Sequence, residues 1–443
     1  MKSFMDENFL LSNKTASFLY KNYASKLPTV DFCCQIPISI LSKNRMYSNI
    51  SEILIENNRL VQTQMRSGKI EEKYITGNAS DYEKFSKLCS LMPSLIGNPV
   101  YILCHMALRK IFECGLIICD KNRDHIWSMT AENLNVKDIR PTDILKMLKC
   151  ELVAIKHEIA TPLSPFKDLT LKNDVPSKII PAYCPDSIIN TSPSKIADFI
   201  KRFGITTNTE IFNLESLINA LSRSLDDFKL YGCVSSEQTL MGYTHFEAPD
   251  PYHASEIMKK FLYEDEKGIN EKDLAIWRGE MLYYLGKEYK KREIVMGLRF
   301  EQASAYEIYK LLLYLNEKDA LPRTVLYASD VNEIRTFTKL AENLRDSSDK
   351  YPEITVSFFA REAALTNDSI KSTAYLSPLG KLTGVSPLAN SPIELALSDV
   401  FRRNICNFIG EASENGSYFY DTESLPSLIS DICFNNSMEF FKV

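Results

Sequence analysis

The stretch REIVMGLRF, residues 292–300, is a nearly continuous apolar run with the length and composition of a buried β-strand. An amphipathic helical pattern precedes it from Leu274 to Lys291, with apolar residues at intervals of three and four. A strand without a polar face must be covered on both sides, which is typical of a parallel sheet packed between helices. This stretch therefore predicts an α/β protein.

Seven further runs are also mostly apolar, and helical patterns such as residues 210–229 lie between the later ones. The runs are PTVDFCC (28–34), CELVAIKH (150–157), SKIIPAYC (177–184), LYGCVSS (230–236), RTVLYAS (323–329), EITVSFFA (353–360) and KLTGVSPL (381–388). Eight strand–helix units in one chain predict a (β/α)8 TIM-type barrel more readily than an open sheet. We expect residues 42–148 to form a mainly helical insertion between strands 1 and 2 of a single barrel domain, residues 1–443.

The composition excludes several classes of protein. The chain has 443 residues, 45% of them hydrophobic, with a net charge of −5 and no Lys/Arg cluster, so it is not expected to bind nucleic acid. Residues 88–108 carry no charge, but Pro93 and Gly97-Asn98-Pro99 break them into two buried helices, so we expect no membrane span. The first residues lack the pattern of a signal peptide, and eleven irregularly spaced cysteines indicate a reduced, cytoplasmic protein.

Functional groups of such barrels lie at the carboxyl ends of the strands. The first run offers Cys33, near its end, and Gln35, directly after it, which alternate and are expected to point the same way. The other runs place further polar side chains at this rim: His157, Glu158, Cys184, Asp186, Glu237, Gln238, Arg299 and Asn390. His157 is suited to acid–base chemistry and Cys33 is a candidate nucleophile or ligand. A buried thiol for Cys33, and a solvated loop pair for His157 and Glu158, are the plainer alternatives.

Several motifs, in order along nearly the whole chain, resemble those of the uronate (glucuronate) isomerases of the amidohydrolase superfamily. They include LPTVDF (27–32), TGNASDYEKF (76–85), IGNPVY (96–101), LPRTVLY (321–327), FRR (401–403) and ICFNN (432–436). The resemblance implies a TIM-type barrel with a divalent metal held by histidines of the first strand. It also implies arginines that bind the sugar carboxylate, and a homo-oligomer.

The residues that carry chemistry in that family are replaced in this chain. The resemblance aligns the metal-binding His-Cys-His of the first strand with residues 33–35, Cys-Cys-Gln, and a metal-binding Asp with Leu388. Other site residues of the family fall on Cys184, residues 237–238, residues 294–295, Asn390 and residues 397–398. His105 alone is retained among the family's site histidines, and a helix-packing role is an equal alternative for it. We therefore expect no metal and no cofactor, since a catalytic zinc site needs about three protein ligands.

These replacements lead to three expectations for function. The first is a barrel that has lost the ordinary glucuronate/fructuronate isomerisation and serves as a non-catalytic (pseudoenzyme) binding or accessory protein. The alternative is a repurposed, metal-independent enzyme for a small polar metabolite, with His157, Glu158 and Cys33 as catalytic residues. The third is a working uronate isomerase whose ligands have moved. In each case the expected pocket residues are Gln35, His105, Cys184, Gln238 and Arg299.

Overall fold

The computed structural model describes residues 4–170, 175, 177–190, 192–263, 268–344, 353–360, 368–419, 421 and 423–443. Within these ranges, no helix combines the length and the apolar character that crossing a bilayer requires.

Eight parallel strands form one sheet in which neighbours in sequence are neighbours in space, in the order β1 to β8. They are β1 (Thr29–Cys34), β2 (Cys150–Glu158), β3 (Lys178–Cys184), β4 (Ser235–Met241), β5 (Val295–Glu301), β6 (Thr324–Ala328), β7 (Ile354–Phe359) and β8 (Val385–Ser386). Two hydrogen bonds bring the first and last strands together: the Gln35 N–H donates to the Ala389 carbonyl (2.8 Å), and the Ser386 hydroxyl donates to Asp31 (2.6 Å). The predicted (β/α)8 barrel is thus confirmed.

The crossover from β1 to β2 is long and helical. It holds α2 (Ile38–Lys43), α3 (Ile50–Leu54), α4 (Arg59–Ser67), α5 (Asp81–Leu91), α6 (Pro99–Phe112), α7 (Arg123–Lys137) and α8 (Pro141–Met147), after α1 (Lys14–Asn22) on the amino side of β1. Ser80 and Glu83 form a capping box that starts α5, and the Asn98 side chain accepts the Val100 N–H at the start of α6. The uncharged residues 88–108 therefore contribute to two separate helices, as predicted.

The remaining helices cover the barrel. They are α9 (Ser164–Thr170), α10 (Asp186–Ile189), α11 (Pro193–Thr207), α12 (Leu214–Leu230), α13 (Pro251–Leu262), α14 (Glu271–Lys291), α15 (Ala305–Glu317), α16 (Val331–Asn343), α17 (Asp368–Leu376), α18 (Leu397–Glu414), α19 (Ser424–Ser430) and α20 (Asn436–Phe441). Their buried apolar side chains form one large core with the outer face of the sheet, and a second core lies mainly within the insertion.

The last helix closes the amino end of the barrel. Phe441 of α20 stacks on Phe32 of β1 with 3.8 Å between ring centroids, and both belong to the apolar cluster that fills the barrel interior. Arg323, next to the start of β6, donates to the Phe440 carbonyl. With this end filled by aromatic side chains, the carboxyl ends of the strands are left to form the site.

Candidate functional site

Strand alternation decides which side chains reach the carboxyl end of the barrel, here called the mouth. In β2, Leu152 and Ala154 belong to the interior apolar cluster, and Lys156 continues the same face. His157, one residue on, turns outward, and its ring lies edge-on against Phe166 of α9 with 5.1 Å between centroids. Lys156, rather than His157, is therefore the residue that β2 supplies to the mouth.

The same alternation operates in β4. Gln238 faces outward, where its amide donates to the Tyr289 hydroxyl of α14 (3.4 Å) and its carbonyl oxygen accepts from Ser236 (2.9 Å). Glu237 faces the barrel interior. Five residues then converge in what we call the mouth cluster: Gln35, Lys156, Asp186, Glu237 and Arg299.

Glu237 is the centre of the mouth cluster and is only 1% exposed. Its Oε1 accepts a hydrogen bond from Gln35 Nε2 at 2.6 Å and lies 3.6 Å from Lys156 Nζ and 3.5 Å from Arg299 Nη1. Its Oε2 is buried and has no hydrogen-bond partner in the described part of the chain. A buried carboxylate oxygen without a donor is costly, so it marks a position where a ligand is expected to bind.

Lys156 is held by Asp186, the first residue of α10, and by Thr239 of β4. Its Nζ lies 2.8 Å from Asp186 Oδ2 and 3.3 Å from Thr239 Oγ1, while Asp186 Oδ1 accepts the Thr239 N–H at 2.8 Å. Burial alone would lower the pKa of Lys156, but Glu237, Cys184 and Asp186 outweigh it, and the net shift is upward. The amine is therefore a fixed ammonium ion and not a neutral nucleophile.

Arg299 supplies the second cation of the mouth. Its guanidinium lies over the Phe359 ring of β7, 5.4 Å from the centroid, and its Nη2 is 3.7 Å from Glu301 at the end of β5. The aromatic face and the two carboxylates hold this charge beside Glu237. A carboxylate with one free oxygen between two cations can take a proton from a carbon atom and return it, while the cations neutralise adjacent oxygens.

The two cysteines at the mouth are neutral thiols. Burial is the main cause that raises the pKa of Cys33 well above its ordinary value, and Glu237 raises it further. Burial, followed by Asp186, does the same for Cys184. Nucleophilic attack and metal binding both need the thiolate. The plainer interpretation of Cys33, a small buried residue of the interior, is the one that the geometry favours.

Asp31 lies below Cys33 and joins β1 to the end of β8. It is fully buried and accepts hydrogen bonds from the Ser386 hydroxyl and the backbone N–H groups of Cys33 and Ala389. Burial raises the pKa of Asp31 to about 6, although these hydrogen bonds oppose the shift. The sequence reading did not single out Asp31, although a charged residue inside an otherwise apolar strand was a signal for it.

His157 and Glu158 lie apart from the mouth cluster. The Nε2 of His157 is 2.9 Å from the Thr161 hydroxyl, and burial lowers the pKa of this ring. Glu158 accepts the Ala160 N–H at 2.9 Å and faces Arg202 at 4.0 Å. Both were expected in the mouth with Cys33; the structure places them at the end of β2, where His157 turns outward against the covering helices and Glu158 faces the turn that follows.

His105 packs inside the insertion. One ring nitrogen, Nδ1, lies 2.7 Å from the Tyr101 carbonyl, and the other, Nε2, accepts the Ile118 N–H at 2.9 Å. Its ring contacts Phe4 edge-on, and burial lowers its pKa to about 4. These contacts correspond to the helix-packing alternative for His105. Of the expected pocket residues, Gln35, Cys184 and Arg299 come together at the mouth, whereas His105 and Gln238 do not.

A cavity of about 440 Å³ lies between the mouth and the insertion. Gln35 and Asn390 line its barrel side, and Glu52, Arg59 and Lys84 from α3, α4 and α5 line the opposite side. Gln35 thus borders the cavity and donates to Glu237. A polar ligand in this space would contact Gln35 of the mouth cluster at one end and charged side chains of both signs from the insertion at the other.

The side chains of the mouth do not fit the divalent metal that the family resemblance implies. No group of three or more His, Cys, Asp or Glu residues that could hold a metal ion occurs in the described ranges. The two carboxylates that could serve, Asp186 and Glu237, already face the cations Lys156 and Arg299, which would repel a divalent ion. Leu388 offers no donor atom.

Comparisons with known proteins give one answer along the whole chain. A family model described as glucuronate isomerase matches residues 1–306 and 298–441. The uronate isomerase of Brachyspira hyodysenteriae is 30% identical over 477 residues, covering 100% of both chains. That of Caldanaerobacter subterraneus is 28% identical over 469 residues, again covering 100% of both.

Solved structures show the same fold. The uronate isomerase of Thermotoga maritima superimposes with a TM-score of 0.88 at 21% identity, covering 99% of this chain and 100% of the other. The glucuronate isomerase of Caulobacter crescentus gives a TM-score of 0.85 at 15% identity, covering 99% and 97%.

These findings correct the expected function. Relatives that match over their full length and are named uronate isomerase overturn the expectation of a non-catalytic binding protein. They equally overturn the alternative, an enzyme for another small polar metabolite acting through His157, Glu158 and Cys33. The expectation was wrong because it rested on the replaced metal ligands alone, whereas the similarity to uronate isomerases extends over the whole chain. The chain belongs to the glucuronate isomerase family.

Proposed function

We propose that the protein is a uronate isomerase, which interconverts the aldose and ketose forms of a sugar acid such as glucuronate. Membership of the family supports the reaction class, and its relatives carry the name uronate isomerase. The observation that carries the proposal is Glu237, a buried carboxylate with one unpartnered oxygen between two cations.

Aldose–ketose interconversion moves one carbon-bound proton between neighbouring carbons. The proton on C2 leaves to a base, its electron pair forms the C1=C2 bond of an enediol, and the same proton is returned to C1. Meanwhile the hydroxyl proton passes from O2 to O1, so that atoms and charge balance. We assign the base to Glu237, because its Oε2 has no competing donor and its Oε1 is fixed by Gln35 at 2.6 Å.

The cavity beside Gln35 suits a sugar acid. Its barrel side carries amide groups, Gln35 and Asn390, which can bind sugar hydroxyls. Its insertion side carries two cations, Arg59 and Lys84, beside three carboxylates, Glu52, Glu56 and Asp81; Lys84 lies 3.9 Å from Asp81, which leaves Arg59 as the cation for the substrate carboxylate. A guanidinium group is the preferred partner of a carboxylate. A cytoplasmic location and a homo-oligomer also form part of the proposal; the first is supported by eleven free cysteines, and the second by the family alone.

The test is direct. Purified protein is incubated with D-glucuronate, and ketose formation is followed by NMR, with and without added divalent cations. We expect turnover by the wild type and a fall in kcat of about 10²–10⁴-fold in Glu237→Gln, the usual contribution of a general base. Glu151→Gln, an exposed position on β2, is the matched control and should retain activity. A folded wild type that forms no ketose under either condition would refute the proposed function.

A further inference from the structure

Lys156 occupies a position in the mouth that the proposed base alone does not explain. Its side chain is 19% exposed and lies between two carboxylates from different elements, Asp186 after β3 and Glu237 on β4. Surface ion pairs of lysine are common and weak, but a partly buried ammonium at the carboxyl end of barrel strands lies where catalytic groups of this fold are found.

We propose that Lys156 is a catalytic residue of this isomerase and that its ammonium group, rather than a divalent metal ion, neutralises the charge that develops on the sugar oxygens O1 and O2. This inference rests on the proposed function and goes beyond it, because it names the group that stabilises the enediolate.

The hydrogen-bond geometry leaves one donor of Lys156 available. An ammonium group has three N–H donors. Asp186 and Thr239 lie at 2.8 and 3.3 Å, within hydrogen-bond distance, whereas Glu237 Oε1 lies at 3.6 Å, beyond it. No other acceptor of Lys156 is found among the residues that the structure describes. The third N–H can therefore donate to a substrate oxygen beside Glu237, where the proton transfer would take place.

The electrostatics of the mouth favour an ammonium ion over a metal ion. Asp186 and Glu237 both raise the pKa of Lys156 and keep the amine charged, so it acts through its charge and not by forming a Schiff base with the sugar carbonyl. Arg299 adds a second positive charge 3.5 Å from Glu237. A fixed cation aimed at the position of the developing negative charge needs no reorganisation during the reaction.

Two experiments test this role. In the first, wild-type protein is treated with a chelator, its content of zinc, manganese and iron is measured by elemental analysis, and kcat for D-glucuronate is determined. We expect less than about one metal ion per ten chains and an unchanged kcat. In the second, kcat is compared for wild type, Lys156→Met, Lys156→Ala and Lys178→Met. Lys178 is exposed at the opposite, amino end of β3 and serves as the control.

We expect Lys156→Met to lower kcat about 10²–10³-fold, as removal of one donor to a developing oxyanion does, and Lys178→Met to leave it within twofold. Methylammonium ions should restore part of the activity of Lys156→Ala in proportion to their concentration, which a purely structural lysine would not allow. Borohydride added during turnover should leave the mass of the wild-type chain unchanged, because no imine forms.

The outcomes separate the two proposals. A wild type that is inactive with and without metal refutes the proposed function. A wild type that is active, but loses its activity to the chelator and regains it with a divalent ion, overturns the role of Lys156 while leaving the isomerase intact. Folded Lys156→Met with wild-type kcat overturns it as well. If the Lys156 variants do not fold, the chelation experiment on the wild type decides alone.

Discussion

Asp31 predicts an unusual dependence of stability on pH. It is fully buried between β1 and the end of β8, and its pKa is raised from 3.8 to about 6, mainly by burial. A carboxyl group whose pKa is raised in the folded state binds its proton more tightly there than in the unfolded chain. The favourable contribution of Asp31 to the unfolding free energy is therefore complete below pH 3.8 and is lost as the pH rises through 6.

The size of the effect follows from the shift. A difference of about two pKa units, at 1.36 kcal/mol each, corresponds to about 3 kcal/mol of unfolding free energy. Asp31→Asn abolishes the titration but keeps one acceptor oxygen for the three donors of Ser386, Cys33 and Ala389. The variant is therefore less stable than the wild type at pH 4. That deficit should shrink by about 2.4 kcal/mol between pH 4 and pH 7, because ionised Asp31 destabilises the wild type over this range.

Urea unfolding of both proteins from pH 4 to pH 8 measures this difference. Other carboxyl groups titrate equally in the two proteins and cancel when the free energies are subtracted. Asp138→Asn, at an exposed turn where φ is +48°, provides a surface control and should track the wild type at every pH. If the difference between Asp31→Asn and the wild type does not change with pH, the raised pKa of Asp31 is refuted.

Two further predictions concern the insertion. Arg59 lines the cavity and makes no hydrogen bond or ion pair within the described residues. Arg59→Ala should therefore raise KM for D-glucuronate about 10–100-fold, which corresponds to the loss of one charge-assisted hydrogen bond, with little change in kcat. Arg223→Ala is the surface control, and an unchanged KM in Arg59→Ala would contradict this assignment. His105→Ala should lower the unfolding free energy at pH 7 by about 2–4 kcal/mol without altering kcat, because two backbone hydrogen bonds and a packed ring are lost. Because the pKa of His105 is lowered to about 4, its contribution to the unfolding free energy is complete above pH 6.5 and is lost as the pH falls towards 4. Unfolding measurements from pH 4 to pH 7 would detect this loss.

The fold could be predicted because its signal is strong and repeated. Nearly continuous apolar runs mark strands buried on both faces, and the runs at residues 150–157, 292–300, 323–329 and 353–360 overlap β2, β5, β6 and β7. The eighth run, residues 381–388, predicted a strand that is too long. β8 has two residues, because Gly384 (φ +69°) and Leu388 (φ +50°) turn the backbone on either side of it.

The fourth strand was placed too early, and this affected the site. The run LYGCVSS, residues 230–236, begins at the end of α12 and passes through a turn at Gly232 (φ +83°) before β4 starts at Ser235. The strand itself reads SSEQTLM and is polar on both faces, with Glu237 pointing inward and Gln238 pointing outward. A search for apolar strands misses such a strand. A strand placed too early puts Glu237 and Gln238 together at the rim, although in the structure Glu237 points inward and Gln238 outward.

One alternation rule would have corrected the assignment of the site. Leu152 and Ala154 are apolar and two residues apart, so the next inward position of β2 is Lys156 and not His157. The suitability of histidine for acid–base chemistry favours His157, but strand alternation directs this side chain away from the mouth. The spacing alone predicts Lys156 as a mouth residue. Its ion pairs with Asp186 and Glu237 cannot be predicted from spacing, because these partners come from other elements and only the closed barrel brings them within 4 Å.

The mouth cluster links stability to chemistry through Lys156. Without Lys156, the buried carboxylate of Glu237 would keep Arg299 and Gln35 but would face Asp186 with no ammonium ion between them. Breaking a buried ion pair by removing one partner costs about 3–5 kcal/mol, because the remaining charge stays desolvated. Neutralising Lys156 should therefore lower both stability and kcat, whereas removing Arg59, which is exposed, should lower binding alone. A chelator removes metal ions but acts on neither Lys156 nor Arg59, so the effect of a bound metal ion can be distinguished from that of the side-chain cations in one protein.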